Sequence, residues 1–127
     1  MLARHQENPG QKHLHSIIHA WRYIIGSENL AMCVDGRKIN EGTFYGASDA
    51  SFADEPDTLR SSEGYVFLLS SMPIDWKASV QRAVTKSTTE AETVSLGHAA
   101  TELRAWEFFL HGVRFDPGLT PTLYCDN

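Results

Sequence analysis

Three acidic segments lie far apart along this chain: Ser48-Asp49-Ala50-Ser51, Ser87-Thr88-Thr89-Glu90-Ala91-Glu92 and Tyr124-Cys125-Asp126-Asn127. Each sets a carboxylate at the edge of an apolar run that reads as a strand or a helix. Carboxylates drawn from distant parts of a chain to one place are what a hard divalent cation requires. Mg²⁺ takes oxygen ligands, commonly one or two carboxylates with water and substrate phosphate completing the shell. Singly, each acid also has an ordinary explanation: Asp49 as a turn residue after a strand, Asp126 as a strand-end or Asx-turn residue, Glu92 as a first-turn helix acid. Their weight is joint. If the first and last strands are parallel neighbours, both aspartates leave the sheet at the edge where α/β sheets place ligands.

The middle segment offers two glutamates, and helical geometry separates them. At about 100° per residue, Glu92 shares a face with Leu96, Ala99, Leu103 and Leu110, whereas Glu90 is rotated about 160° toward solvent. Glu92 is therefore the acid expected to point at the sheet. A charge inside an apolar stripe is costly unless it is paired or metal-bound.

The elements that must position these acids follow from periodicity. Asn8-Pro9-Gly10 signals a turn, after which Leu14, Ile17, Ile18, Trp21, Ile24 and Ile25 recur at helical spacing up to Gly26. His13, His15 and His19 ride on this helix. Without a third or fourth ligand in view they read as a polar face rather than a Zn²⁺ site. Leu30 to Val34 reads as a short strand ending at the turn pair Asp35-Gly36. Gly42 to Ser48 is extended and delivers Asp49, and 54 to 62, with Pro56, is a loop. Tyr65 to Leu69 is a buried strand, Ser70 to Pro73 a turn, and Ile74 to Lys77 the start of a third strand anchored by Trp76. Phe52, Trp76 and Trp106 read as core. From about Thr89 to Leu110 the period is helical, with a stripe of Leu96, Ala99, Ala100, Leu103, Trp106 and Leu110; Thr88 or Thr89 is expected to cap it and Gly112 to close it. Leu119 to Cys125 holds a last strand. The expected fold is an α/β layered domain: an antiparallel three-strand meander, a crossover helix and a parallel fourth strand, preceded by an N-terminal helix.

Composition bounds the function. With 127 residues the chain is one domain or most of one, and its apolar and charged fractions are those of an ordinary globular protein. No apolar run approaches the ~20 residues that cross a bilayer. No signal peptide is legible, so an intracellular location is expected. Two cysteines, Cys33 and Cys125, lack metal-type spacing and read as small buried hydrophobes without a disulfide. A formal net charge of −5 argues against a stand-alone, phosphate-driven nucleic-acid binder. It weighs less against a metal-dependent nuclease whose acids are neutralised by ions and whose basic surface lies in a neighbouring domain.

At this point the residues resemble a known family, the ribonuclease H domain of copia-type retrotransposon Pol polyproteins, with the end of the reverse transcriptase region attached. The resemblance covers nearly the whole chain. Asn8-Pro9-Gly10, His13, Trp21-Arg22-Tyr23-Ile24-Ile25-Gly26 and Asn29-Leu30 are similar to the linking helix after the polymerase. Residues 45–53 (Tyr45 to Ala53) and 60–67 (Arg60 to Phe67) resemble the first acidic motif and second strand. Ile74-Asp75-Trp76-Lys77, Ser87 to Glu92 and Tyr124 to Asn127 complete the set. The resemblance implies a linker helix and short strand over 1–34, a partial ribonuclease H-like domain over 42–127, and Asp49, Glu92 and Asp126 as metal-binding catalytic carboxylates. Asp49 would bridge two Mg²⁺ ions (Mn²⁺ being the alternative) ~4 Å apart, and Glu92 and Asp126 would hold one of them. It also implies RNA–DNA hybrid as substrate, the reverse transcriptase domain of the same polyprotein as partner, no membrane, and a cytoplasmic particle or the nucleus as location.

The sequence departs from the family in three places. The family usually carries a fourth carboxylate on a helix after the last strand, and the sequence stops at Asn127 before such a residue, so activity is expected to require that further part. Thr93 stands where an aromatic residue is common, and Lys86 where a small residue is usual. Two other readings follow: a non-catalytic relic that keeps the fold, and an unrelated interaction domain whose three acids are ordinary strand-end residues.

Overall fold

A computed structural model of the chain describes residues 6–33, 44–116 and 120–126. The chain divides into two compact units, Met1–Val34 and Asp35–Asn127.

The first unit contains α1, Gln11–Gly26. The Gly10 amide donates to His13 Nδ1 at 2.9 Å, so one of the three histidines closes the helix start. His15 and His19 are exposed, in keeping with a polar face. None of the helix residues is buried, although the apolar stripe expected from the sequence is present. The strand expected at Leu30–Val34 does not form over Leu30–Cys33, which run exposed and without regular structure. A strand needs a neighbouring strand for its backbone groups, and among the described residues none pairs with these; the Leu30 amide donates instead to the Ser27 carbonyl at 2.9 Å. Val34 and the Asp35-Gly36 pair lie outside the described residues.

The second unit is built from β1 (Phe44–Ser51), β2 (Ser62–Leu69), β3 (Met72–Val80), α2 (Thr88–Gly112) and β4 (Thr122–Tyr124). The sheet order is β3-β2-β1-β4. β1 pairs antiparallel with β2, and β2 with β3, while β4 lies parallel to β1 with Ala47 opposite Tyr124. The expected α/β arrangement of meander, crossover helix and parallel fourth strand is the one observed. The β2–β3 hairpin closes on Ser70 and Ser71, with φ of 50° and 66°, so the turn is shorter than the four residues read from the sequence, and β3 begins at Met72. Two successive residues at positive φ give the mirror-image turn whose twist matches that of the strands it joins.

One face of the sheet is covered by α2. Phe44, Phe67, Ala99, Leu103 and Leu110 form the core, with Tyr65, Leu69, Ile74, Trp106 and Leu123 packed around it. Phe67 is fully buried, edge-on to Phe44 with ring centres 6.5 Å apart and stacked on Tyr65 at 4.5 Å. Gly46, opposite Phe67 in the ladder, leaves room for that ring: a Cβ at Gly46 would meet Phe67 Cδ1 at 2.5 Å. The buried side of α2 is Ala91, Glu92, Ser95, Ala99, Leu103 and Leu110. Compared with the sequence reading, Ser95 enters this face and Ala100 leaves it for solvent.

Two aromatic placements correct the sequence reading, and a third, Trp106, packs against the core as expected. Trp76 is 60% exposed on the sheet face away from α2, opposite Val66, and so is not core; Phe52 is also exposed. A shift in the β2–β3 register between Phe67 and Leu68 fixes the phase of this part of β3 and turns Asp75 toward the helix and Trp76 away from it. Trp106 is half-buried, and its indole N–H donates to Asp75 Oδ2 at 2.9 Å.

Candidate metal centre

The start of α2 fixes Glu92. Ser87, rather than Thr88 or Thr89, is the cap: its hydroxyl accepts from the Glu90 amide at 3.1 Å. The Glu90 carboxylate reaches back to accept from the Lys86 amide at 2.7 Å, so the first turn is tied at both ends. That interaction holds Glu90 at the exposed side, and two residues on Glu92 turns in toward the sheet, as helical rotation predicts. Lys86, the unusual residue of this segment, is exposed and contributes its backbone amide. Thr93 is also exposed, its hydroxyl donating to the Thr89 carbonyl at 2.7 Å.

Glu92 is 8% exposed. A carboxylate so placed needs donors. One oxygen, Oε1, accepts from the Ala50 amide of β1 at 3.2 Å, and Oε2 lies 3.7 Å from the Cys125 thiol just past β4. The first turn of α2 adds the favourable end of the helix dipole. Ser95 Oγ donates to the Asp49 carbonyl at 2.8 Å, pinning β1 to the helix at the same level. The side chain therefore bridges the two parallel strands from above.

Glu92, Cys125 and Asp126 each present a ligand atom, and the three atoms lie within 4.8 Å of one another. Among the described residues this is the one such grouping of acids, histidines or cysteines. The structure thus brings together Glu92 and Asp126 of the three acids read from the sequence. Asp49 is not in the grouping. β1 runs on through Asp49 to Ser51 instead of ending before it, and strand alternation sets the exposed Asp49 on the opposite face from Ser48 and Ala50. Two carboxylates fit a Mg²⁺ ion that keeps several waters. The ligand set for a second ion is not gathered by these side chains.

Cys125 was not legible as part of the site. It is a free, half-buried thiol rather than a buried hydrophobe, and Cys33 is free and exposed. The available signal was adjacency: in a strand, the residue before an outward-facing aspartate faces the helix. Ser48 was likewise missed. It is 6% exposed on the α2 side of β1, and its Oγ has no hydrogen-bond partner among the described residues.

The order β3-β2-β1-β4 with one helix over β1 and β2 defines a ribonuclease H-like α/β domain. Over nearly its whole length the chain is a homologue of retrovirus-related Pol polyproteins from copia-type transposons. It is 32% identical over 130 residues to the Pol polyprotein of transposon TNT 1-94 from Nicotiana tabacum, covering 100% of this chain and 9% of the relative. It is 29% identical over 126 residues to that of transposon RE1 from Arabidopsis thaliana, covering 99% of this chain and 8% of the relative. The chain thus spans under a tenth of the length of these polyproteins. A third relative, secreted RxLR effector protein 161 from Plasmopara viticola, is 26% identical over 102 residues, which are 80% of this chain and 70% of that protein. No protein-family model matches the chain, and neither does a solved structure. Among the described residues no helix is long and apolar enough to cross a membrane.

Proposed function

We propose that this chain is the ribonuclease H-type segment of a retrotransposon Pol polyprotein and serves hydrolysis of the RNA strand of RNA–DNA hybrids. The observation that carries the reading is the buried Glu92 carboxylate, delivered by the crossover helix to the paired ends of β1 and β4 beside Asp126. Glu92 and Asp126 are the residues that hold Mg²⁺ or Mn²⁺, and Asp49 is the third acid. Two ions bound in such a site supply charge stabilisation and an activated water for in-line attack on a phosphodiester. Glu92 is held rigidly by the Ala50 amide, and Asp126 stays exposed for a substrate to approach. Asp49, one residue from Ala50, must bring its carboxylate round to that pair for two ions to be shared. The RNA strand is recognised through its 2′-hydroxyls in the wide minor groove. The reverse transcriptase region of the same polyprotein supplies the basic surface that a chain of net charge −5 lacks.

A second reading, a domain that keeps the fold without turnover, draws on two observations. Asp49 stands apart from the grouping, and one relative consists largely of this segment. One experiment separates the two readings. The chain, alone and joined to the polyprotein segment that follows it in a transposon relative, is given a labelled RNA–DNA hybrid with Mg²⁺. Cleavage by the joined form that is abolished by Asp49→Asn, Glu92→Gln or Asp126→Asn supports the nuclease. Cleavage unchanged by all three substitutions removes the metal assignment, and hybrid binding without cleavage in either form supports the second reading.

A further inference from the structure

We infer that the groove between α2 and the β2–β3 hairpin binds a phosphate ester with an organic body of nucleotide size, its phosphate held by Arg82 and His98. The groove is separate from the metal centre, which stands over β1 and β4, and the inference does not depend on turnover.

The shape comes first. α2 packs over β1 and β2, so a cavity of about 500 Å³ remains between the helix and the last residues of β3. That volume is in the range of clefts that hold small organic ligands. A bare inorganic ion would leave most of it empty. Val80 and Val94 offer apolar walls for the body of a larger ligand.

The charges select the anion and place it. Glu63 lies in the floor of the groove, its side chain 12% exposed. His98 Nδ1 is 2.8 Å from one of its carboxylate oxygens and 3.0 Å from the other, and Ser79 Oγ donates to it at 3.3 Å. This acid is thus partnered from both α2 and β3 and repels an anion less than a free carboxylate would. With Nδ1–H given to Glu63, Nε2 is the histidine nitrogen left for a ligand. A phosphate beside the ring favours the imidazolium, whose Nε2–H donates to it. Arg82 and Lys77 also line the groove, and among the described residues neither forms an ion pair. Glu102, the remaining acid on the wall, sits one turn beyond His98 along α2, and its charge falls on Tyr65. Lys77 is opposite Tyr65 in the ladder and offsets Glu102 at that end. Arg82 belongs to the other end: it follows Gln81, whose side-chain amide donates to the Ala91 carbonyl, about three turns before Glu102. The cationic end is therefore the one shared by Arg82 and His98. Arginine offers paired N–H donors suited to phosphate oxygens. A chain of net charge −5 draws in no phosphate through its overall field, so binding here is local recognition.

The test titrates the whole chain in EDTA, which keeps divalent cations off the metal centre, and follows amide and histidine-ring resonances by NMR. The probes are adenosine monophosphate, adenosine, and a short single-stranded RNA. Adenosine monophosphate is expected to shift His98 and the groove residues of 80–83 and 94–98, and adenosine is not. Its affinity should fall about fivefold or more in Arg82→Gln and in His98→Gln, the worth of one charge-assisted contact at an exposed site. The loss should be smaller in Lys77→Gln, and Arg104→Gln, outside the groove, should change nothing. The amide spectrum of each variant reports that it is folded. Shifts from the mononucleotide assign the site to a free phosphate ester. Shifts from RNA alone, lost in Arg82→Gln, keep the phosphate site and make a nucleic-acid backbone its source. No shift in the groove from either phosphate-bearing probe, equal shifts from adenosine, or an affinity that Arg82→Gln leaves unchanged overturns the inference.

Discussion

The two faces of the sheet are made from the same four strands and have opposite characters. On the α2 side, Phe44 and Phe67 are buried, Gly46 yields its side-chain space to a ring, and Leu123 closes the far edge. On the other side, Ala47, Asp49, Trp76 and Tyr124 are exposed, and Tyr45 meets Tyr124 edge-on at 6.2 Å. Strand alternation alone creates this split. Stability therefore resides on one side of the sheet, while the other side tolerates change. Glu92, Cys125 and the hydroxyl of Ser48 belong to the covered side, and the carboxylate of Asp49 belongs to the open one.

The comparison can be broken most forcefully at its centre. Phe67→Ala is expected to cost about 3–5 kcal/mol, because a fully buried ring leaves a cavity that its neighbours fill only in part. Denaturant unfolding measures it, and a loss under 1 kcal/mol would mean that the covered side is not the core. Next comes Gly46→Ala, where the added Cβ collides with Phe67 and the expected loss is about 1–3 kcal/mol, typical of overpacking. A neutral result would show that Phe67 can move aside.

A third, smaller effect sharpens the picture through pH. Burial first, then the negative charges of Asp75 and Glu102 and the hydrogen bond to Asp75, push the Tyr65 hydroxyl up to about 12. The folded state thus favours the neutral phenol. Its contribution is intact below the ordinary value of about 10 and is lost as pH rises from there through about 12. Thermal melts across that window should show a decline that Tyr65→Phe reduces; the same decline in both proteins would exclude Tyr65 as its source. The smallest effect is expected on the open side. Trp76→Ser should change stability by no more than about 0.5 kcal/mol, since the indole is 60% exposed. A loss of 2 kcal/mol would mean that this face is covered in solution.

Legibility in the sequence follows the same division. The α2 face could be read because a 3.6-residue period is redundant: Ala99, Leu103 and Leu110 agree on one direction, and Glu92 falls into line with them while Glu90 does not. The parallel placement of β4 followed from a crossover helix between the antiparallel meander and the last strand. Side-chain direction in the strands was harder to read, because a period of two reverses with a single residue. Asp49 was placed after a strand that in fact continues through it, and Trp76 was assigned inward where the register shift beside Leu68 turns it outward. Cys125 was read by its type, as a small hydrophobe, when its neighbour Asp126 already fixed which way it faces. Ser87 lost the cap to the threonines in the sequence reading because three hydroxyl residues in a row give no means of choosing between them.

β4 is the shortest strand, three residues long, and everything it offers the site comes after its last paired residue. Glu92, by contrast, sits on a helix of 25 residues packed along most of its length. The grouping therefore spans a firmly anchored half and a lightly anchored one. A cation held between the two would act as a clasp, its binding energy shared with the docking of the strand. The melting temperature of this domain should then rise with metal concentration, and the carboxy-terminal strand should exchange its amide hydrogens more slowly in the loaded form.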